Sequence, residues 1–242
     1  MTQPASVVFL LDVDNTLLDN DRIIEDLNGH LTRAFGADRQ ERYWAIFEEL
    51  RGELGYADYL GALQRYRSEN PHDPHIVRIS FFLLDYSFTH RLFQGALEVI
   101  ERFRAWGPTV IVSDGDAVFQ PWKIRRSGLY DAVEGHVLIY IHKEQQLDDV
   151  ERRYPARQYV LMDDKPRILA AAKNEWGSRL ATVQPRQGRY AHDPQALATY
   201  PSADIAVEGI GDVLRYDLAA LLTAGRSSSA KSVAGTVSGE ES

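Results

Sequence analysis

Four short clusters of polar residues, far apart in the chain, carry groups able to act together on an oxyanion. The first is Asp12-Val13-Asp14-Asn15-Thr16, where two carboxylates stand two positions apart. In an extended chain residues i and i+2 project to the same side, so Asp14 can reach whatever Asp12 attacks. The second is Ser113-Asp114, the third His142-Lys143, and the fourth the acidic pair Asp163-Asp164. A carboxylate is a nucleophile or a proton carrier, and a hydroxyl or an ammonium stabilises negative oxygen. Several carboxylates together call for a hard cation, and Mg²⁺ suits an all-oxygen ligand set. Turns use Asp and Ser anyway, so each cluster alone says little. What matters is where all four fall.

Each cluster follows a short apolar run. Residues 7–11, 109–112, 133–141 and 159–162 read as strands, and 180–183 and 205–207 close the series. Between them, 96–106 (stopped by Gly107-Pro108), 117–128, 143–154, 166–176 and 211–222 read as helices. Strands alternating with helices mean βαβ crossovers, hence an α/β fold: a Rossmann-like, doubly wound parallel sheet. Ligands of such sheets sit at the carboxyl ends of the strands, where all four clusters lie. After the first cluster, Leu27, Leu31, Ala34 and Phe35, then Tyr43, Trp44, Ile46, Phe47 and Leu50, recur at helical spacing. Asn70-Pro71-His72-Asp73-Pro74 interrupts that pattern. A stretch this long is not a loop. The expected division is an α/β core of 1–19 and 93–225, a helical insertion of 20–92 forming a small second domain, and a disordered Ser/Gly-rich tail of 226–242.

Composition narrows the partners. The 242 residues include 27 Lys plus Arg against 35 Asp plus Glu, a net charge of −8, which argues against nucleic-acid and anionic-membrane partners. The absence of cysteine excludes disulfides, thiolate zinc sites, iron–sulfur clusters and a Cys nucleophile. Residues 1–6 carry no basic side chain and the apolar run 7–11 stops at Asp12, so the amino terminus reads as a strand and not a signal peptide. The expectation is a soluble, cytoplasmic protein; the oligomeric state stays open. His72 and His75, set among prolines, read as loop residues in preference to a zinc site. Arg51, Arg65, Arg67, Arg78 and Arg91 are candidates to hold an anionic substrate, with a solvated helix face as the default. Gln187-Gly188-Arg189 follows a strand and is placed at the rim of the site on that ground alone.

Taken in order, the four clusters resemble the signatures of the haloacid dehalogenase (HAD) superfamily: DxDxT, then Ser or Thr, then Lys, then an acidic pair. Asp12-Val13-Asp14-Asn15-Thr16, Ser113, Lys143 and Asp163-Asp164 match them. Phe93-Gln94-Gly95-Ala96-Leu97 and Arg126-Ser127-Gly128-Leu129-Tyr130-Asp131 are secondary matches, and the resemblance extends to about Ala224. It implies that the insertion is a helical cap of the C1 type. It also implies direct metal coordination by Asp164, with Asp163 nearby or sharing that duty. Glu144 stands where many relatives carry Pro, and Lys165 follows the acidic pair where small residues are common. Lys123, inside an expected helix, is the alternative to Lys143 as the motif lysine.

Phosphoryl transfer to a carboxylate needs a nucleophile, charge neutralisation and a proton donor for the leaving alkoxide. Asp12 is the expected nucleophile and Asp14 the acid and base. Ser113 and Thr16 would bind phosphoryl oxygens, with Asn15 and Asp114 beside them on the substrate side, and Lys143 would balance charge. Mg²⁺ would sit among Asp12, the Asp14 carbonyl and the acidic pair. A halide leaves without a proton and the dehalogenase branch generally lacks a carboxylate at the Asp14 position, so the resemblance implies a Mg²⁺-dependent phosphatase of a small phosphorylated metabolite. A phosphomutase, a 2-haloacid dehalogenase and a non-catalytic phosphate-binding protein are the alternatives. A phosphonate hydrolase would need a cap lysine, and 20–92 contains none.

Overall fold

The computed structural model describes residues 3–234, with side chains to residue 226. In chain order its elements are β1 (Ala5–Leu11), α1 (Asn20–Phe35), α2 (Ala37–Leu54), α3 (Tyr59–Glu69), α4 (Ile76–Asp85), α5 (Ala96–Arg104), β2 (Thr109–Asp114), α6 (Phe119–Arg126), α7 (Leu129–Ala132) and β3 (Val137–Tyr140). Then follow α8 (Leu147–Arg153), β4 (Ala156–Met162), α9 (Pro166–Trp176), β5 (Leu180–Pro185), α10 (Gly188–Ala191), α11 (Pro194–Thr199), β6 (Ile205–Val207) and α12 (Leu218–Ala234). The strands pair in parallel in the order β3-β2-β1-β4-β5-β6, so the chain winds outward from β1 in both directions. This is the doubly wound, Rossmann-like sheet that the strand–helix alternation implies.

The two-residue period of a strand sorts the core into two faces. Val8, Leu10, Val110, Val112, Tyr159 and Leu161 meet Leu147 and Val150 of α8 and Ile168, Leu169 and Trp176 of α9. Val7, Phe9, Leu11, Ile111, Val160 and Met162 meet Val99, Ile100 and Phe103 of α5, with Phe9 stacked on Phe103 at 4.2 Å. This second face runs on without a break through Leu17 and Leu18 to Ile23, Leu27, Leu31, Tyr43, Ile46 and Tyr66. The four helices inserted between β1 and α5 therefore share the apolar core of the sheet.

Three expected boundaries move. The strand expected over 133–141 begins only at Val137, because Glu134 and Gly135 adopt left-handed φ of 54° and 78° and turn the chain out of α7. The helix expected over 143–154 divides into a short turn at Lys143–Gln145 and α8. The helix expected over 211–222 also divides: a 3₁₀ turn covers Ile210–Arg215, and α12 starts afresh where Asp217 accepts the Ala220 N–H at 2.7 Å. The backbone of 226–234, expected as tail, continues α12, while 235–242 lie outside the described residues. Leu221 anchors that helix in full burial, and Ala-containing sequence propagates an anchored helix at little cost. Among the described residues no helix is long and apolar enough to cross a membrane.

Lys173 ties three elements together: its Nζ donates to the carbonyls of Leu180 at 2.7 Å and Gly225 at 2.7 Å, and to Asp204 Oδ2 at 2.8 Å. The Asp204 side chain is 2% exposed and that of Lys173 19%. Lys173→Met removes the cation from that buried carboxylate and leaves it the Thr182 N–H at 2.9 Å, and urea unfolding should show a loss of about 2–3 kcal/mol. A loss under about 0.5 kcal/mol, the ordinary surface value, contradicts this account.

Candidate active site

Strand register brings the first and fourth clusters together. Leu11 pairs with Met162 across β1 and β4, so Asp12 and Asp163 leave neighbouring strands at the same level. The Asp12 N–H donates to the Met162 carbonyl at 3.0 Å, and the Asp163 N–H to that of Val183 at 3.2 Å. Asp12, Asp163 and Asp164 are all buried, and one oxygen of each lies within 4.8 Å of the others.

Lys143, expected to balance charge, reaches this cluster from the turn after β3. Its buried Nζ donates to Asp12 Oδ1 and to the Val112 carbonyl at 3.2 Å. It stands 2.6 Å from Asp163 Oδ2, as a charge contact outside hydrogen-bond alignment. Burial alone would lower the pKa of this ammonium, but Asp12, Asp163 and Asp114 outweigh it and hold the group charged beyond its ordinary range. Burial pushes the Asp163 carboxyl up to about 6 against the pull of Lys143. Asp164 is pushed well above the carboxylate range, first by burial and then by Asp163 and Asp12. Among the described residues neither carboxylate oxygen of Asp164 accepts a hydrogen bond. Two bare, buried carboxylate oxygens beside two further carboxylates are an electrostatic deficit that a divalent cation would remove. The donor set fits such an ion.

Asp14 belongs to a second group. Its Oδ1 pairs with Lys123 Nζ at 2.5 Å, and its Oδ2 accepts from Gln120 Nε2 at 3.2 Å. Gln120 also donates to Ser113 Oγ at 2.9 Å, joining the expected acid to the expected hydroxyl. The two candidate lysines thus hold different carboxylates: Lys143 sits with Asp12, Lys123 with Asp14. Gln120 carries no role in the sequence reading, and Lys123 appears there only as an alternative. The available signal is their spacing at i and i+3 on the face of α6 that buries Phe119 and Ile124, where a polar pair needs a reason.

Asn15 and Thr16, expected on the substrate side, hold the loop itself. Asn15 takes a left-handed φ of 63°, which a short amide side chain tolerates. Its Oδ1 accepts the N–H groups of Asn20 and Asp21 at 3.0 and 3.1 Å, and its Nδ2 donates to Asp21 Oδ1 at 3.1 Å. Thr16 Oγ1, fully buried, accepts the Asp164 N–H at 3.1 Å and donates to Asp12 Oδ2 at 3.4 Å. Both side chains are committed to positioning the carboxylates and α1. Asp114 accepts the Lys143 N–H at 2.7 Å, and burial raises its pKa. The ammonium of Lys165 forms no ion pair with a carboxylate among the described residues and lies 5.5 Å over the Tyr190 ring.

Of these groups Asp14, Asn15, Asp114 and Lys165 line a cavity of about 520 Å³, and the buried cluster of Asp12, Asp163, Asp164 and Lys143 does not form its walls. Asp14, Asn15, Asp114 and His142 reach it from the core, and Phe47, Arg51, Tyr56 and Tyr59 from the inserted helices.

A family model for haloacid dehalogenase-like hydrolases matches residues 7–187, most of the chain and all four clusters. The chain belongs to this family. A solved structure from Burkholderia xenovorans LB400, assigned to the haloacid dehalogenase-like hydrolases, is 59% identical, covers 90% of this chain and 99% of its own, and superposes with a TM-score of 0.85. Two more distant structures share the fold alone. A HAD-hydrolase of Bacillus subtilis, YfnB, bound to magnesium, is 14% identical over 88% of this chain and 98% of its own, with a TM-score of 0.58. L-2-haloacid dehalogenase of Xanthobacter autotrophicus, with chloropropionic acid covalently bound, is 15% identical over 86% and 96%, with a TM-score of 0.54. Among curated proteins no match is found. The chain is thus a HAD-like hydrolase, an enzyme whose buried carboxylates are compatible with a divalent metal.

The bare Asp164 carboxylate gives a direct test. In chelator-treated protein near pH 7 Asp164→Asn removes a carboxyl whose ionisation is opposed by burial and then by Asp163 and Asp12, and should raise stability by about 1–3 kcal/mol. Divalent cation should then raise the melting temperature of the natural protein and not of the variant. A variant that is less stable without metal and equally stabilised by it would contradict this placement.

Proposed function

We propose that this HAD-like hydrolase is a Mg²⁺-dependent phosphatase that cleaves a small phosphomonoester through an aspartyl-phosphate on Asp12. The observation that carries the reading is Asp14: a second carboxylate, two residues from the nucleophile, lining the substrate cavity and anchored by Lys123 and Gln120. A departing halide needs no proton, whereas a departing alkoxide does, so a poised carboxyl has a use in ester cleavage that dehalogenation does not give it.

A carboxylate oxygen of Asp12 attacks phosphorus as the bond to the ester oxygen breaks, and Asp14 gives that oxygen its proton. Asp14 then takes a proton from water, whose oxygen attacks the phosphoryl group on Asp12, restoring the carboxylate and releasing phosphate. Ser113 donates to a phosphoryl oxygen, and Lys143 offsets the charge that gathers on Asp12 and the phosphoryl group. Asp12, Asp164 and the Asp14 carbonyl, with Asp163 alongside, would hold Mg²⁺, which when bound supplies the charge neutralisation a phosphate dianion needs to approach carboxylates. The magnesium bound to the Bacillus structure of the same fold is in keeping with this ligand set. The inserted helices act as a cap: Phe47, Arg51, Tyr56 and Tyr59 close the cavity above the carboxylates and limit its water.

Asp12→Asn should abolish phosphate release from a panel of sugar phosphates, nucleotides and phospho-acids, a loss of more than about 10³-fold for a nucleophile. Asp14→Asn should cost about 10²–10⁴-fold with alkyl phosphates and far less with p-nitrophenyl phosphate, whose leaving group needs no acid. Equal losses on both substrates would remove the acid role from Asp14. Chloride release from 2-chloropropionate with no phosphate release from any ester would overturn the proposal itself.

A further inference from the structure

One wall of the cavity comes from chain beyond residue 187, where the family match ends. Arg189, Tyr190, Ala196 and Tyr200 line the cavity from this segment. Three contacts strap it down. Gln187 Nε2 donates to the Thr16 carbonyl at 3.0 Å, while its Oε1 accepts the Ile210 N–H at 2.7 Å. The Arg189 N–H donates to Asp21 Oδ2 at 2.7 Å. Gly188, at a φ of 68°, lies so close to Asn15 that a Cβ there would stand 2.4 Å from the Asn15 side chain. A glycine is required both by the left-handed backbone and by the contact. The strap fixes Arg189 beside the loop that carries Asp14.

The charges on the cavity wall are unequal. Arg51, Lys165, Arg167 and Arg189 line it against two carboxylates, Asp14 and Asp114. Both carboxylates are already engaged, Asp14 by Lys123 and Asp114 by the Lys143 N–H. Arg167 is paired with Glu144, and Arg51 with Glu48, a carboxylate whose side chain is 55% exposed. Such an exposed pair is weak and exchangeable. Among the described residues the carboxylate that pairs with Arg189 is Asp21, whose Oδ1 is 3.7 Å from the Arg189 Nε and already accepts from Asn15, and Arg189 Nη2 donates to the Tyr190 hydroxyl at 3.1 Å. The guanidinium lies 4.9 Å over the Tyr190 ring, and the Lys165 ammonium 5.5 Å over the same ring. Two cations thus share one aromatic side chain: burial opposes the charge on Lys165 while Asp12, Asp163 and Asp164 sustain it from beyond ion-pair distance, and Arg189 has Asp21 at 3.7 Å. In a chain of net charge −8 this is a local reversal of sign. Like charges held together at the rim of the cavity, with the Arg189 side chain 55% exposed, favour an anion between them.

We propose that Arg189 and Lys165, aligned by Tyr190, form a subsite for a second anionic group of the substrate, so that this enzyme prefers phosphomonoesters bearing a carboxylate or a further phosphate. The proposal rests on the phosphatase reading and names its substrate class. Arg189 supplies a planar fork of donors suited to either anion, and Lys165 a point charge beside it. The transferred phosphoryl group is served by Lys143, Ser113 and the metal, which leaves this wall for the far part of the molecule.

The test uses matched pairs with the full-length protein and Mg²⁺: glycerol 3-phosphate against 3-phosphoglycerate, and fructose 6-phosphate against fructose 1,6-bisphosphate. The member with the second anion should have a kcat/KM at least about tenfold higher, the scale of one charge-assisted hydrogen bond. The carboxylate pair and the phosphate pair separate the two sources of that anion, and preference in either supports the subsite. Arg189→Gln should reduce the preference ratio at least about fivefold, through KM and not kcat, and Arg189→Lys should restore part of it. Should Arg189→Gln fail to fold, Arg189→Lys and Lys165→Met carry the same ratio measurement. Release of phosphate without preference in both pairs, or an equal effect of the variants on both members, overturns the subsite and leaves the phosphatase reading standing. No release from any member overturns both.

Discussion

Everything at the catalytic end of this molecule follows from the crowding of Asp12, Asp163 and Asp164 at two adjacent strand ends. Three carboxylates buried within 4.8 Å of one another repel, and burial raises that cost. The arrangement persists because side-chain chemistry does not set it. Parallel pairing of β1 with β4, fixed by the alternation of apolar residues into two cores, puts Asp12 and Asp163 at one level whatever their charge. Lys143 offsets part of the repulsion, and Thr16 holds the Asp12 side chain and the Asp164 backbone at once. Among the described residues the Asp164 carboxylate is left with no donor. The fold thereby gathers carboxylates in a way compatible with a divalent metal.

The second carboxylate position follows a different rule. Asp14 is partly exposed to the cavity and is held by cation and amide from α6, a helix on the other flank of β1. Gln120 divides its amide between Asp14 and Ser113, and Lys123 also reaches Asn20 Oδ1 at 3.4 Å, the first residue of α1. Asp12 and Asp14 are consequently supported by separate lysines from separate crossovers. Two supports permit two environments within three residues of chain, one buried against a charge cluster and one facing the cavity.

The parts legible in the sequence are those set by short-range periodicity. Strand runs such as 159–162, the helix 166–176 with Pro at its start and Gly after its end, and polar residues directly after apolar runs make the sheet, its winding and the four clusters legible in the chain. The helical character of 20–92 was legible for the same reason, although its core turned out to be continuous with that of the sheet. Roles that depend on where a side chain turns were not legible. Asn15 and Thr16 read as ligands for substrate because of their neighbours; their hydrogen bonds to α1 and to the carboxylates depend on backbone geometry that spacing does not carry. Gln120 is not legible because a single amide in a helix has no pattern. Residues 187–189 read as a rim only from their place after a strand, since the contacts with Thr16, Asp21 and Ile210 are encoded by no local sequence.

The loop 12–18 is also the root of the inserted helices. The Asp19 N–H donates to the Arg91 carbonyl at 2.7 Å and the Phe93 N–H to the Leu17 carbonyl at 3.0 Å, so the two connections to the insertion run side by side as one paired ribbon. Asn15 caps the start of α1 from within the same loop, and Gly188 presses on Asn15 from the opposite side. Any displacement of α1 relative to the sheet must act on this ribbon and on Asn15, the residue next to Asp14. The position of the inserted helices and the placement of Asp14 are therefore one mechanical variable. A fold that separated them would need a longer, looser linker, and would lose the alignment that a proton transfer over about 3 Å requires.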